Sequence, residues 1–163
     1  MMPRLIKLAG DERGTSVVEL ALVAPLMATF IIGTVDISRG FSAKLQLEQV
    51  AQHGIEKAMQ GMQGDDSTVI FQSLQAEVAA AAGVTTPNVA VRYWLECNGV
   101  SQNSNPATMA ADYEKVCAGG QLYSRHLNIR ITKTYTPMFS TRWAGANADG
   151  TYTLVGEAGL RVQ

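Results

Sequence analysis

Residues 15–35 read TSVVELALVAPLMATFIIGTV, an apolar run interrupted by a single charge, Glu19. A helix needs about 20 apolar residues to cross a bilayer. A run of this length and apolarity is a poor match for a helix in a soluble core, where one side should turn polar. The run therefore predicts a membrane-inserted helix. Within it, a carboxylate near the start costs roughly 3 kcal/mol on insertion scales. Such a cost asks for a partner or a purpose, and Glu19 is the first residue to interrogate.

The flanks constrain what kind of membrane segment this is. Residues 1–14, MMPRLIKLAGDERG, are short and polar and carry Arg4, Lys7 and Arg13. A cleaved secretory signal would have a shorter apolar core and a small-x-small cleavage site after it. Here Val35 is followed by Asp36-Ile37-Ser38-Arg39, and Asp11 and Glu12 stand ahead of the core. Positive residues before the run favour a cytoplasmic N-terminus. The chain thus divides into a cytoplasmic leader at 1–14, a transmembrane helix at 15–36 and an extracytoplasmic domain at 37–163. Pro25 inside the apolar helix removes one backbone hydrogen bond and should bend or locally melt it.

The helical pattern continues past the membrane run. Phe41, Leu45, Leu47, Val50, Ala51, Ile55, Ala58, Met59 and Met62 recur at spacings of three and four, with Glu48, Gln49, Gln52, His53, Glu56, Lys57 and Gln60 on the other side. This amphipathic stripe predicts a helix over 37–60, continuous with the first, stopped by Gly61 and Gly64. Asp65-Asp66-Ser67 offers N-cap residues for a second helix at 67–82, with Gly83 as its stop.

From Asn88 the apolar period changes to two. Val89, Val91, Tyr93 and Leu95 predict a strand near 88–96. Leu127, Ile129 and Ile131 predict one at 126–135, and Tyr152, Leu154, Ala158, Leu160 and Val162 one at 151–162. Each strand has one apolar face that needs a cover. The stripe at 41–62 and the second helix can supply it. The expected architecture is α+β, two helices packed on a small three-stranded antiparallel sheet. Loops at 97–124 and 137–150 are long enough to carry function.

Several function classes are disfavoured. The balance of 13 Lys+Arg against 14 Asp+Glu, with no basic run, gives no footprint for nucleic acid. There is no G-x-S-x-G, H-E-x-x-H or phosphate loop, and nothing combines a nucleophile, a base and an orienting group. Asp112 and Glu114 read as a solvated pair. His126 ahead of its strand and His53 on a solvated helix side read as ordinary residues. Neither has ligand spacing to a cysteine, so no metal and no cofactor is expected. The two cysteines, Cys97 and Cys117, can pair if their half lies outside the cytoplasm, contributing roughly 3 kcal/mol. Otherwise they are two free thiols.

A cut after Gly14 would make Thr15 a new N-terminus with Glu19 as its fifth residue. The carboxylate, one turn along, could neutralise the liberated amine of its own chain or of a neighbour, offsetting much of the burial cost of both charges. Gly14, Glu19 and the apolar helix resemble the prepilin pattern of type IV pilins. The fuller block, with Arg13-Gly14, Val18-Glu19-Leu20-Ala21, Pro25 and Asp36/Arg39/Gly40, is similar to the TadE-like pseudopilins of the tight-adherence (Tad, or Flp) pilus system. Tyr135-Thr136-Pro137-Met138-Phe139 is also similar to that family. The resemblance implies processing by a prepilin peptidase between Gly14 and Thr15, with Glu19 serving assembly or processing. It implies a minor pilin-like subunit of the bacterial inner membrane, active in pilus biogenesis, surface adhesion and biofilm. Its partners would be the peptidase, other pilin-like subunits, the inner-membrane assembly platform and the lipid bilayer. The alternative is an uncleaved, signal-anchored extracytoplasmic binding domain. The block at 97–124 maps onto no part of the family pattern.

Overall fold

The computed structural model describes residues 15–61, 67–102, 113, 115–139 and 145–162. The leader, including Gly14, lies outside the described residues, as do Met62, Gly64, Asp65, Asp66, Asp112 and Glu114. The chain divides into two compact units between Arg39 and Gly40.

Helix α1 runs as one α-helix over Thr15–Gly61, 47 residues with Pro25 inside. The expected melting at Pro25 does not occur, because only one backbone hydrogen bond is lost there and the turns on either side keep theirs. Two hydroxyls in this stretch satisfy themselves locally. Thr29 donates to the Pro25 carbonyl and Thr34 to the Phe30 carbonyl, each at 2.8 Å. Such bonds to the carbonyl four residues back keep a hydroxyl satisfied within the helix itself.

Helix α2 spans Ser67–Ala82 and stops as expected at Gly83, whose φ is +61°. The Gly83 N–H donates to the Ala80 carbonyl at 3.2 Å and the Val84 N–H to the Ala79 carbonyl at 3.0 Å. These two bonds form a Schellman cap, which a left-handed residue makes possible. Lys133, from the sheet, adds a third by donating to the Ala82 carbonyl at 3.0 Å.

The sheet has four strands, not three. They are β1 (Val89–Cys97), β2 (Val100–Ser101), β3 (Tyr123–Tyr135) and β4 (Tyr152–Val162), in the order β2-β1-β3-β4. All neighbours are antiparallel. The extra strand arises from Asn98-Gly99, whose φ values of 50° and 79° form a tight turn between Cys97 and Val100. An Asn-Gly pair between apolar residues is a strong hairpin signal that the reading of 97–124 as a loop overlooked. The strand expected from 126 begins at Tyr123.

The core of the second unit follows the period-two pattern. Val89, Leu95, Leu127, Ile129 and Ile131 are buried. Most of them pack with Leu74, Val78 and Ala79 of α2 and with Leu47, Ala51, Ile55 and Ala58 of α1. The α1 stripe is narrower than expected. Phe41, Leu45 and Met59 are exposed, at 61%, 42% and 47%. The buried line instead passes through Gly54 and places Leu47 against Gly156 of β4. A Cβ at Gly156 would come within 2.5 Å of the Leu47 backbone, and one at Gly54 within 2.8 Å of Ile129 and Val78. Helix and sheet approach closely because both carry glycine at the crossing. A helix held that close to the sheet buries a thin line of its surface, so the flanking apolar residues stay out.

Candidate functional site

Three places gather functional-looking side chains: the start of α1, the disulfide end of the sheet, and the sheet face turned away from the helices.

The first is where the sequence pointed. Thr15 begins α1 and Glu19 is exposed one turn along. The residues around it are apolar and exposed, with Val17 at 66%, Leu22 at 71% and Phe30 at 68%. Exposure of large aliphatic and aromatic side chains all round a helix is unfavourable in water by roughly 1.5–3 kcal/mol for each one left unburied. It is expected of a helix in lipid. By length and composition α1 can cross a membrane and is a candidate anchor. The apolar stretch ends at Asp36 and Arg39, both of which have interaction partners.

At the second place, Cys97 and Cys117 are bonded, with a Cα–Cα separation of 5.7 Å across 20 residues. The paired state, and not the free thiols, is what the fold contains. The stretch closed by this bridge is also pinned from inside. Tyr113 is 5% exposed and sits edge-on to Tyr93, ring centroids 5.5 Å apart. Its carbonyl accepts from the Arg125 Nε at 3.0 Å, and the Arg125 guanidinium lies over the Tyr113 ring. Burial pushes the phenols of Tyr93 and Tyr113 above their ordinary 10.0, the Arg125 charge opposing the rise at Tyr113. Sequence reasoning missed Tyr113, because an aromatic residue inside a polar loop carries no periodic signal.

The third place was also missed. On the outer face, Trp94 and His126 are cross-strand partners whose rings stack 5.0 Å apart. Trp94 Nε1 donates to Glu96 at 3.0 Å, and His126 Nε2 lies 3.2 Å from Glu96 and 3.1 Å from the Ser124 hydroxyl. His126 thus stands well inside β3, which begins three residues before it, and is engaged by three side chains rather than being the ordinary residue expected. Alternation places these four residues on one face, but only the register β1 to β3 brings them together. Serine, histidine and carboxylate invite comparison with a catalytic triad, whose hydroxyl and carboxylate engage opposite ring nitrogens. Here both meet Nε2, so no relay through the ring is formed. The cluster reads as a cross-strand staple of the sheet.

His53 is exposed and pairs with Glu56 at 3.3 Å, as a solvated helix side predicts. A shallow cavity of about 230 Å³ lies among Ala43, Val50, His53, Ala82 and Lys133, and the Lys133 ammonium is already engaged by the α2 cap. Among the described residues no group of three or more His, Cys, Asp or Glu could hold a metal ion.

The chain was compared with known proteins. A family model described as TadE-like protein matches residues 14–55, about a quarter of the chain. The matched stretch contains Gly14, Thr15, Glu19, Pro25 and the buried α1 line from Leu47 to Ile55. Over this segment the chain is similar to the TadE-like family. No curated protein and no solved structure matches the chain.

Proposed function

We propose that this TadE-like chain is a minor pilin-like subunit that takes part in building a Tad-type pilus, through assembly rather than catalysis. The observation that carries the reading is the family match over residues 14–55, which falls on Gly14 and Glu19, together with an α1 that is apolar and exposed on every side from Ser16 to Ile31. In this reading a prepilin peptidase cuts between Gly14 and Thr15 at the cytoplasmic face of the inner membrane. The liberated ammonium and the Glu19 carboxylate, one turn apart, neutralise one another within a subunit or between neighbours. A pair of opposite charges is far cheaper to hold in lipid than either charge alone. Subunits carrying such a pair can bundle their apolar helices and engage the assembly platform.

The α+β unit then lies on the far side of the membrane. The Cys97–Cys117 bridge supports that side, since disulfides persist in oxidising compartments. Contribution to surface adhesion would follow from a working pilus and not from a binding pocket in this subunit.

Glu19→Ala tests the role. Piliation should fall sharply while the protein still fractionates with the membrane and keeps its disulfide. Unchanged piliation by a stably inserted variant would contradict the proposed function of this carboxylate.

A further inference from the structure

The two edges of the sheet are finished differently. Along β1, the Val89 carbonyl accepts from Gln75 Nε2 at 2.7 Å and the Leu95 carbonyl from the Gln102 N–H at 2.8 Å, while β2 pairs with the far end. Along β4, the edge away from β3 has no hydrogen-bond partner between Val155 and Arg161 among the described residues. Proteins blunt such an edge with proline, lysine, a bulge or a short strand, because its free N–H and C=O groups are a template for another chain. β4 uses none of these. It runs 11 residues, contains neither proline nor lysine, and keeps register with β3 throughout. Gln75 and Gln102 reach carbonyls of odd-numbered β1 residues, so the even-numbered ones bond to β3. Carried through the register, this turns the N–H and C=O of Glu157, Gly159 and Arg161 to the open edge. The Glu157 and Arg161 side chains stand exposed on the outer face, and Ala158 and Leu160 are half-buried against the core on the other.

We propose that β4 pairs antiparallel with β4 of a second copy of this chain, about a two-fold axis at Gly159. Glu157 then lies opposite the second copy's Arg161, and Arg161 opposite its Glu157. Opposite charges on directly facing residues favour a strand pair, and like charges oppose it. The charges also select the register. A slip of two residues leaves both without a partner, and a slip of four sets Glu157 opposite Glu157 or Arg161 opposite Arg161. On the other face Leu160 meets the second copy's Ala158, large against small, and both lose apolar surface to the interface. The arrangement is isologous and closes on itself: two four-stranded sheets become one, with only the β1 edges left at its ends. It uses residues of the second unit alone and does not depend on the pilin reading.

Cross-linking of the full chain in detergent tests this. Both native cysteines are bonded, so Gly159→Cys gives a single thiol, and a Cβ there meets nothing closer than the Asn128 amide at 3.4 Å. A short bis-maleimide should join Gly159→Cys into a dimer and leave Arg92→Cys, on β1, monomeric. Adding Glu157→Arg or Arg161→Glu to Gly159→Cys should abolish the dimer, because either change sets like charges opposite at two points. Mixing the two charge-reversed chains should restore it as a heterodimer, and both changes in one chain should restore it as a homodimer. Gly159→Cys joined no better than Arg92→Cys, or dimers indifferent to both reversals, would overturn the pairing. Should the Gly159 variant fail to fold, judged by its native disulfide and far-UV circular dichroism, sedimentation of the otherwise unaltered chain and its charge variants gives the same contrast. Loss of the dimer in each single reversal with recovery in the mixture supports the pairing, and one uniform mass throughout overturns it.

Discussion

The two halves of α1 use the same residue types in opposite ways. Between Thr15 and Arg39, valine, leucine and phenylalanine point outward and stay exposed; from Gly40 onward, Leu47, Ala51, Ile55 and Ala58 are buried to 7% or less. Helix propensity does not separate the halves, since both are helical without a break. What differs is glycine at the crossing and the presence of a sheet to cover one line of the helix. In the first half Gly33 has nothing within 4 Å of where a Cβ would stand, whereas Gly54 and Gly156 in the second unit have no room for one. Apolar residues on this helix are thus sorted by what covers them, a sheet and a second helix for one half and no other part of the described protein for most of the other.

Adding volume should separate the halves most severely. Gly156→Val should prevent the second unit from folding, a loss of more than about 3 kcal/mol, because the new Cβ meets Leu47 backbone rather than a movable side chain. Gly33→Val should leave that unit unchanged. Chemical denaturation in detergent, followed by far-UV circular dichroism, distinguishes the two. Equal effects would show that the halves are not packed differently.

Removing volume should separate them by a graded amount. Leu47, 2% exposed, should cost about 2–5 kcal/mol on change to Ala. Leu22→Ala should not change the denaturation midpoint of the second unit, since Leu22 is 71% exposed.

Much of this contrast was legible in the residues. The length of the apolar run, the helix stop at Gly83 and the inward faces of β1 and β3 follow from period and composition. The narrowing of the α1 stripe was not legible, because it depends on how closely Gly54 and Gly156 let the helix approach, a tertiary property. Nor was the Trp94–His126–Glu96–Ser124 cluster, since alternation assigns a face but not a register. Tyr113 was hidden by its polar neighbours. The Asn98-Gly99 turn was visible in principle and was passed over within a segment read as one long loop.

A smaller effect is expected of the disulfide. Cys97→Ser with Cys117→Ser, or reduction, should lower the stability of the second unit by roughly 3 kcal/mol on the chain-entropy model. It should leave membrane insertion of α1 untouched. Loss of insertion on reduction would show that insertion depends on the folded second unit.

The smallest effect is alkaline. Burial raises the phenol pKa of Tyr93 and Tyr113 in the folded state above 10.0. Their contribution is therefore complete below pH 10, where both states are protonated, and declines as pH rises through the raised folded values. Tyr93 is only half-buried, and the Arg125 charge opposes the rise at Tyr113, so the decline is shallow. The denaturation midpoint should fall above pH 10, and Tyr113→Phe should flatten that fall.

Everything proposed for the first half of α1 requires that it sit in the membrane as the freshly cut N-terminus of a pilin-like subunit. N-terminal sequencing of the protein extracted from membranes of piliated cells tests this most directly. A single start at Thr15 is expected, absent in cells lacking the prepilin peptidase. A start at Met1 or Met2 on molecules that support piliation would contradict it.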